Sequence, residues 1–248
     1  MGKTVSIITG AARGIGLATA KLMADAGHQV VMVDRDAEEL TKTALPGALA
    51  LNIDVSDADG GDRIVAATLE KFGRIDNLVN NAGVAEFGPV ESCDLEMWRR
   101  VMATNLDGVF LCTQAATAAL KETRGAIVNI ASISGLRAST LRVAYGTSKA
   151  AVIHLTKAHA VELGEYGIRV NCVCPGPVRT KLAMAVHTPE IIAAYHDALP
   201  LNRYGSEEEI AQAIRFLCSP EASFVTGQVL AADGGFEATG VGLPALRT

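Results

Sequence analysis

Short apolar runs alternate with longer stretches of helical periodicity from one end of the chain to the other. Seven runs rich in Val, Ile, Leu and Ala predict β-strands. They are TVSIIT (4–9), QVVMVD (29–34), ALALNID (48–54), IDNLVNN (75–81), GAIVNIAS (125–132), IRVNCVCP (168–175) and GQVLAAD (227–233). Between most of them apolar residues recur every three or four positions, as in GLATAKLMADAG (16–27) and DRIVAATLEKFG (62–73). This spacing predicts amphipathic helices, so strand and helix alternate along the chain.

The strand runs are almost continuously apolar, which is typical of a parallel sheet that helices cover on both faces. No linker rich in Pro, Ser or Gly, no internal repeat and no shift in composition divides the sequence. We therefore predict one α/β domain over residues 1–248. The stretch of about 180–203 lacks strand character and contains Pro189 and Pro200 around an amphipathic segment. A connection of that length typically covers a site, so we expect a substrate lid there.

Composition and charge narrow the possible functions. The chain has 49% hydrophobic residues and a net charge of −5, from 22 basic and 27 acidic side chains without a run of like charge. A nucleic-acid partner is therefore not expected. The first apolar run is too short for a secretion signal or a membrane span, which predicts a cytoplasmic protein without a membrane partner.

Five cysteines are present, and only Cys172 and Cys174 are close together in the sequence. These two would lie on the same face of a strand, because side chains alternate along a strand. We expect all five to be small buried apolar residues, with no metal site and no disulfide.

A glycine-rich turn connects the first predicted strand to the first helix. Gly10, Gly14 and Gly16 in TGAARGIG would let the backbone turn tightly and bring free N–H groups of the helix N-terminus close to phosphate groups. The second strand ends in Asp34, whose carboxylate could accept hydrogen bonds from an adenosine ribose. The alternatives are that the glycines serve packing alone and that Asp34 is a solvated loop acid. The two features together favour a dinucleotide site.

Further polar residues follow the third and fourth strands. Asp54 and Val55 lie at the end of the third, and NNAG (80–83) ends the fourth. In an open parallel sheet the ligand crevice lies beyond the carboxyl ends of the strands, so these residues would border the same crevice as the glycine turn. Asn and Gly can also be simple turn formers.

Tyr145 and Lys149 lie one helical turn apart in VAYGTSKAAV, among residues that favour burial. Their side chains therefore share one face of a helix. A tyrosine with a pKa of roughly 10 is a poor base near neutral pH, but a neighbouring ammonium favours the phenolate. Tyr145 could then exchange a proton with a substrate. An exposed surface pair is the alternative.

Taken together, these features resemble the classical short-chain dehydrogenase/reductase family. The resemblance covers essentially the whole chain. Its motifs are TGAARGIG (9–16), NNAG (80–83), ATNLDGVF (103–110), NIASISG (129–135), YGTSK (145–149), PGPVRT (175–180) and VTGQVLAADGG (225–235). It implies a single-domain, doubly wound (Rossmann-type) α/β fold with a seven-stranded parallel sheet and helices on both faces. It also implies a nicotinamide cofactor and a catalytic set of Asn105, Ser132, Tyr145 and Lys149.

The resemblance also implies what each of these residues does. Ser132, and not Ser134, would hold the substrate oxygen and stabilise its charge. Asn105 would hold a water molecule that relays protons toward Lys149, which would also bind the nicotinamide ribose. The backbone of Val178 and the side chain of Thr180 would meet the nicotinamide carboxamide. The expected cofactor contacts are Gly10, Arg13, Gly14, Ile15, Gly16, Asp34, Asp54, Val55, Asn81, Ala82, Gly83, Tyr145, Lys149, Pro175, Val178 and Thr180.

We therefore expect an NAD-dependent enzyme that transfers hydride between its cofactor and a secondary alcohol or ketone. Asp34 would repel the 2′-phosphate of NADP, although Arg13 and Arg35 could attract it. One alternative is a 3-oxoacyl-(acyl carrier protein) reductase. The other is a sensor or scaffold that binds NAD(H) without catalysis.

The segment between Ser132 and Tyr145 should border the substrate pocket. It holds Arg137 and Arg142, which could pair with a carboxylate, sulfonate or phosphate, or else face solvent or a subunit interface. The lid adds His187 and His196, and aromatic residues make up only 4% of the chain. We expect a small polar substrate, namely a polyol, a sugar or a hydroxy acid.

Two helices carry more apolar residues than one face of a sheet can bury. They start near Leu95 and Tyr145, and they include GVFLCTQAATAAL and AAVIHLTKAHAVEL. This pattern, together with the family resemblance, predicts a homotetramer. The tail GVGLPALRT (240–248) is expected to lie on a neighbouring subunit.

Overall fold

A computed structural model describes residues 2–181, 184 and 187–240. Its strands form one seven-stranded parallel sheet in the order β3-β2-β1-β4-β5-β6-β7. They are β1 (Val5–Thr9), β2 (Gln29–Asp34), β3 (Leu49–Asn52), β4 (Asn77–Asn80), β5 (Ala126–Ile130), β6 (Arg169–Pro175) and β7 (Val229–Ala232). Each strand lies within the run that predicted it, and the predicted doubly wound parallel sheet is confirmed.

Helices connect successive strands. The described residues contain α1 (Gly14–Asp25), α2 (Ala37–Thr43), α3 (Gly60–Phe72), α4 (Leu95–Met102), α5 (Gly108–Thr123), α6 (Ile133–Leu136), α7 (Val143–Leu163), α8 (Pro189–Ala198) and α9 (Glu207–Cys218). The stretch Ala103–Asp107, between α4 and α5, is π-helical. None of the described helices is long and apolar enough to span a membrane.

One apolar layer covers each face of the sheet. Ile7 of β1 belongs to the layer that contains Leu120 of α5, whereas its neighbour Ile8 belongs to the layer that contains Met23 of α1 and Ile214 of α9. Successive side chains of a strand point to opposite faces, and here both faces are buried. This is why the strand runs show no alternation between apolar and polar residues.

The cysteines lie mainly in these apolar layers. Cys112, Cys172, Cys174 and Cys218 are buried, Cys93 is half-buried, and all five are free thiols. Cys172 and Cys174 share a smaller apolar cluster with Val152 of α7, as their alternation on one strand predicts.

The order of the strands in the sheet determines where the ligand crevice lies. From β1 the chain builds outward to β3 on one side, then crosses back past β1 to β4 and continues to β7 on the other side. Connections therefore leave β1 and β4 in opposite directions, and a crevice opens beyond the carboxyl ends of these two strands.

Candidate active site

Two cavities of about 540 and 230 Å³ lie beyond the carboxyl ends of the central strands. They share lining residues that include Ile15, Asn81, Gly83 and Thr180, so they form one continuous cleft. Predicted cofactor residues that line only the larger cavity are Gly10, Arg13, Gly14, Asp34, Asp54, Val55 and Ala82. Those that line only the smaller cavity are Tyr145, Lys149, Pro175 and Val178. Gly16 lines neither cavity.

The glycine turn is shaped by close backbone contact. Gly10 has a φ of +64°, a conformation that favours glycine. A Cβ on Gly16 would lie 2.1 Å from the carbonyl oxygen of Gly10, so Gly16 acts beneath the cavity by allowing the turn to close. The N-cap of α1, Arg13, makes no side-chain capping bond. The first N–H groups of α1 therefore face the larger cavity without a side-chain cap, which fits the phosphates of a dinucleotide.

Asp34 is held rigidly in the wall of the larger cavity. One carboxylate oxygen accepts a hydrogen bond from the N–H of Ala12 at 3.1 Å, and the other accepts one from the N–H of Asp36 at 3.0 Å. Both bonds come from backbone groups, so the position of the carboxylate does not depend on any flexible side chain. This fixed acid is suited to accept bonds from the ribose hydroxyls of a dinucleotide.

The two arginines that could attract a 2′-phosphate already have acidic partners. Arg13 forms a short ion pair with Asp36, and Arg35 lies 3.4 Å from a carboxylate oxygen of Asp54. The hydrogen bond that Arg13 donates to Asp36, together with the charge of that carboxylate, raises the pKa of Arg13 above its usual value, whereas burial acts to lower it. The positive charge near Asp34 is therefore largely compensated within the chain.

Asn105 lies at the centre of the π-helix and is completely buried. Its amide accepts a hydrogen bond from the N–H of Val84 at 2.8 Å and donates to the carbonyl of Val84 at 2.9 Å. It also donates to Oγ of Ser148 at 3.0 Å, and this hydroxyl donates to the carbonyl of Tyr145 at 2.7 Å. Asn105 thus joins the loop after β4 to the first turns of α7. Single π turns are frequent at functional sites.

Lys149 and Asn105 meet beside Gly83. A Cβ on Gly83 would lie 3.4 Å from Nζ of Lys149 and 3.3 Å from Oδ1 of Asn105. Nζ of Lys149 donates to the carbonyl of Ile130 at 2.8 Å and lies 5.9 Å from the centre of the Tyr145 ring. Lys149 is only 4% exposed, so its ammonium is almost completely removed from bulk water.

Burial controls the ionisation of both central groups. It raises the pKa of Tyr145, and a hydrogen bond with Ser132 and the charge of Arg142 act in the opposite direction. Burial also lowers the pKa of Lys149 to about 8. Burial thus acts against both charged forms, and the expected effect of Lys149 and a bound oxidised nicotinamide on the Tyr145 phenolate stays a prediction.

The two candidate serines have different surroundings in the structure. Ser132 follows β5, lines the smaller cavity and accepts a hydrogen bond from the N–H of Ser134 at 3.1 Å. The hydroxyl of Ser134 instead contacts Oγ of Ser139 at 3.1 Å and Arg142 at 3.4 Å. Ser132 is the serine that lies beside Tyr145.

The two candidate arginines also have different surroundings. The guanidinium of Arg137 donates to the carbonyls of Glu237, in a short bond, and Thr239, at 2.9 Å. Its charge is thus directed to the loop after β7, and only Arg142 lines the smaller cavity. Of the two positions left open for these arginines, Arg142 lies at the pocket and Arg137 lies away from it.

The two histidines of the predicted lid also differ in their position relative to the smaller cavity. His187 lines the smaller cavity, and its Nδ1 lies 3.0 Å from the hydroxyl of Tyr204. His196 does not line this cavity; its ring packs edge-on against Tyr204, with 5.6 Å between the ring centres. The predicted lid of about 180–203 includes 182, 183, 185 and 186, which lie outside the described residues.

The low aromatic content of the chain was a poor guide to the pocket. Phe87, Tyr145 and Tyr195 all line the smaller cavity, so several of the few aromatic side chains gather at one place. The sequence contained a signal for Phe87, because it follows the NNAG motif by only four positions. Tyr195 could have been found from its place in the amphipathic lid segment.

Comparisons with known proteins identify the family of the chain. A family model described as enoyl-(acyl carrier protein) reductase matches residues 10–237. The chain is 40% identical over 243 residues to trans-4-hydroxycyclohexanecarboxylate dehydrogenase from Sinomonas cyclohexanicum, with 93% of this chain and 92% of that protein covered. It is also 40% identical over 240 residues to 3-oxoacyl-[acyl-carrier-protein] reductase from Synechocystis sp., with 93% and 96% covered.

A solved structure is similar over the same extent. Levodione reductase superposes with a TM-score of 0.91 at 34% identity, covering 97% of this chain and 100% of that one. Together with the motifs gathered around one cleft, these matches show that the chain belongs to the classical short-chain dehydrogenase/reductase family, whose members are oxidoreductases that use nicotinamide cofactors.

Proposed function

We propose that this enzyme transfers hydride between NAD(H) and a small polar secondary alcohol or ketone held in the smaller cavity. One observation carries the proposal. Ser132, Tyr145 and Lys149 all line a cavity of about 230 Å³ that opens directly into the larger cavity bordered by Asp34. A substrate carbon and a nicotinamide ring can therefore meet where these cavities join.

The chain itself supplies the proton chemistry. When bound, a nicotinamide gives or takes the hydride. The hydroxyl of Ser132 donates to the substrate oxygen and stabilises its developing charge. Tyr145 Oη holds the proton that this oxygen gains or loses. Lys149, with a pKa of about 8, can exchange a proton near neutral pH, and Asn105 holds the water that connects Lys149 to solvent.

The surroundings of the cleft favour a free small molecule over an acyl chain on a carrier protein. The segment 86–96, which begins at the cavity wall, carries four acidic residues, namely Glu86, Glu91, Asp94 and Glu96. The charge of the nearby Arg100 is compensated by Glu86 and Glu96, each at 3.0 Å. Such a surface would repel an acidic carrier protein.

A substrate screen tests the proposed function. Purified enzyme with NAD(H) or NADP(H) is mixed with polyols, sugars, β-keto thioesters and hydroxy acids, including trans-4-hydroxycyclohexanecarboxylate, and the absorbance of the reduced cofactor is followed. We expect the highest catalytic efficiency on a small polar compound. Best activity on bulky apolar alcohols or β-keto thioesters would contradict the polar pocket. Cofactor binding with no turnover of any compound would instead indicate a sensor or scaffold.

Cofactor choice gives a separate prediction. We expect kcat/KM to be at least about tenfold higher with NAD than with NADP, because Asp34 faces the 2′-oxygen while Arg13 and Arg35 are already paired. Asp34→Asn should reduce this ratio at least about tenfold by removing the repulsion. Asp62→Asn, at an exposed acid of α3, is the matched control and should leave the ratio unchanged. Equal efficiency of the wild type with both cofactors would show that Asp34 does not decide the choice.

The oligomeric state gives another prediction. Leu95 of α4, Phe110 of α5 and Val161 of α7 are 61%, 42% and 82% exposed in the isolated chain. We propose that these helices pair across two-fold axes in a homotetramer. The tail position at 241–248 lies outside the described residues. Light scattering at micromolar concentration should give four times the chain mass of 25.8 kDa, and a monomeric mass would refute the tetramer.

A further inference from the structure

Arg142 lies in the wall of the smaller cavity without an acidic partner. In the part of the chain that the structure describes, the ion pairs involve other basic residues, and none includes Arg142. The guanidinium of Arg142 donates a long hydrogen bond, at 3.4 Å, to Oγ of Ser134. Its guanidinium carbon lies 4.8 Å from the centre of the Phe87 ring. The cavity therefore contains a positive charge that no described carboxylate compensates.

The backbone around Arg142 is held in an unusual conformation. Leu141, the preceding residue, has a φ of +63°, which is a strained value for a side chain of this size. The N–H of Gly88 donates to the carbonyl of Leu141 at 3.0 Å, and Gly88 forms a parallel bridge with Arg142. The same contact thus fixes Arg142 and the neighbouring Phe87. Strain of this kind is retained where the surrounding structure demands one geometry.

The charge of Arg142 acts on the groups inside the cavity. Burial lowers the pKa of His187, and the charge of Arg142 lowers it further. The same charge acts against the burial that raises the pKa of Tyr145. A guanidinium stacked on an aromatic ring keeps its N–H edge free for a planar, bidentate partner. The two N–H groups on this edge match the two oxygens of a carboxylate.

We propose that Arg142 binds a carboxylate of the substrate, so that the enzyme acts on hydroxy acids and oxo acids. This inference rests on the proposed function and makes its substrate class specific. Arg142 and Tyr145 both contact the ring of Phe87, whose centre lies 4.8 Å from the guanidinium carbon and 6.4 Å from the centre of the Tyr145 ring. Both side chains line the smaller cavity. A substrate whose reacting oxygen lies at Tyr145 can therefore place its carboxylate at Arg142 within the same cavity.

Kinetics with a charged and a neutral ketone test this assignment. 4-Oxocyclohexanecarboxylate and its methyl ester are reduced with NADH by the wild type, Arg142→Ala, Arg142→Lys and the control Arg137→Ala. We expect Arg142→Ala to lower the ratio of kcat/KM for the acid to kcat/KM for the ester about 100-fold, mainly through the KM for the acid. Arg142→Lys should give a decrease of intermediate size, because lysine keeps the positive charge but lacks the paired N–H groups of the guanidinium. Arg137→Ala should affect acid and ester alike.

A binding measurement separates this inference from the proposed function. Calorimetry of cyclohexanecarboxylate and of neutral cyclohexanecarboxamide with the enzyme and NAD is run on the same variants, after circular dichroism has shown each to be folded. Selective loss of carboxylate binding in Arg142→Ala supports the role of Arg142 even if no ketone is reduced, in which case only the proposed function fails. If turnover occurs but Arg142→Ala affects acid and ester equally, the role of Arg142 fails and the proposed function stands. A wild type that neither binds cyclohexanecarboxylate nor prefers the acid to the ester also overturns the inference.

Discussion

Tyr145→Phe is expected to lower kcat by about 10²–10⁴, the usual contribution of general acid–base catalysis, while leaving the affinity for NADH close to that of the wild type. The substitution removes only the hydroxyl that is proposed to hold the transferable proton. The ring itself should stay in place, because it packs edge-on against Phe87 at 6.4 Å between ring centres, and Phe would keep this contact. Steady-state turnover and a fluorescence titration of NADH measure the two quantities separately.

Tyr166→Phe provides the control for this experiment. Tyr166 is 42% exposed and lies beside Lys121, whose ammonium is 3.4 Å from the centre of its ring. Loss of this hydroxyl should leave turnover unchanged, since Tyr166 follows the C-terminal end of α7 and lines neither cavity of the cleft. If Tyr145→Phe retained more than about a tenth of the wild-type rate, Tyr145 would not be the proton donor.

Lys149→Met is expected to abolish most turnover and, at pH 7, to leave the fold as stable as the wild type or more so. The activity loss follows from the proposed role of Lys149, which is to bind the cofactor ribose and exchange protons, so the KM for the cofactor should rise as well. Stability should not fall, because a buried ammonium is replaced by an apolar chain of similar length. This combination distinguishes Lys149 from a residue that merely holds the structure together.

The stability difference should depend on pH. Burial lowers the pKa of Lys149 from 10.5 to about 8, so below pH 8 the folded chain carries a poorly hydrated charge that the unfolded chain carries in water. The wild type is then destabilised by roughly 3 kcal/mol, to order of magnitude. As the pH rises from about 8 to 10.5, this penalty disappears, and the advantage of Lys149→Met should shrink with it. Urea unfolding at pH 7 and pH 10 measures the difference.

Lys157→Met, at an exposed position of the same helix, is the matched control and should show no such pH dependence. A Lys149→Met variant that is clearly less stable than the wild type at pH 7 would mean that the hydrogen bond to Ile130 outweighs the cost of burying the charge.

Features that depend on local sequence could be predicted well. Each strand run is apolar on both faces and ends in a polar or glycine-containing motif, so the sheet and the positions of Asp34, Asp54 and Asn81 followed directly from the pattern. The spacing of Ser132 from Tyr145 also distinguished it from Ser134. These signals require no knowledge of distant contacts.

Features that depend on distant contacts could not be predicted. Arg137 and Arg142 look equivalent in the sequence. They differ because Arg142 forms a bridge with Gly88, whereas Arg137 donates hydrogen bonds to the loop after β7. The ionisation of Tyr145 reflects the burial contributed by many residues, which no single neighbour reveals. One domain with a lid, NAD as the cofactor, a cytoplasmic location and a tetramer stay predictions.

The π-helix at Ala103–Asp107 makes chain length, and not only residue type, a determinant of this site. A π turn absorbs one more residue than an α turn, so the flanking helices α4 and α5 can keep their packing whether or not that residue is present. Deleting one residue inside this turn would therefore cost the fold little but would swing Asn105 by about 100° away from Val84. The same deletion farther along α5 would turn its buried face, including Ala116, out of the core. An insertion or deletion at this turn is thus a single genetic step that could remove the function of Asn105 while the rest of the fold survives.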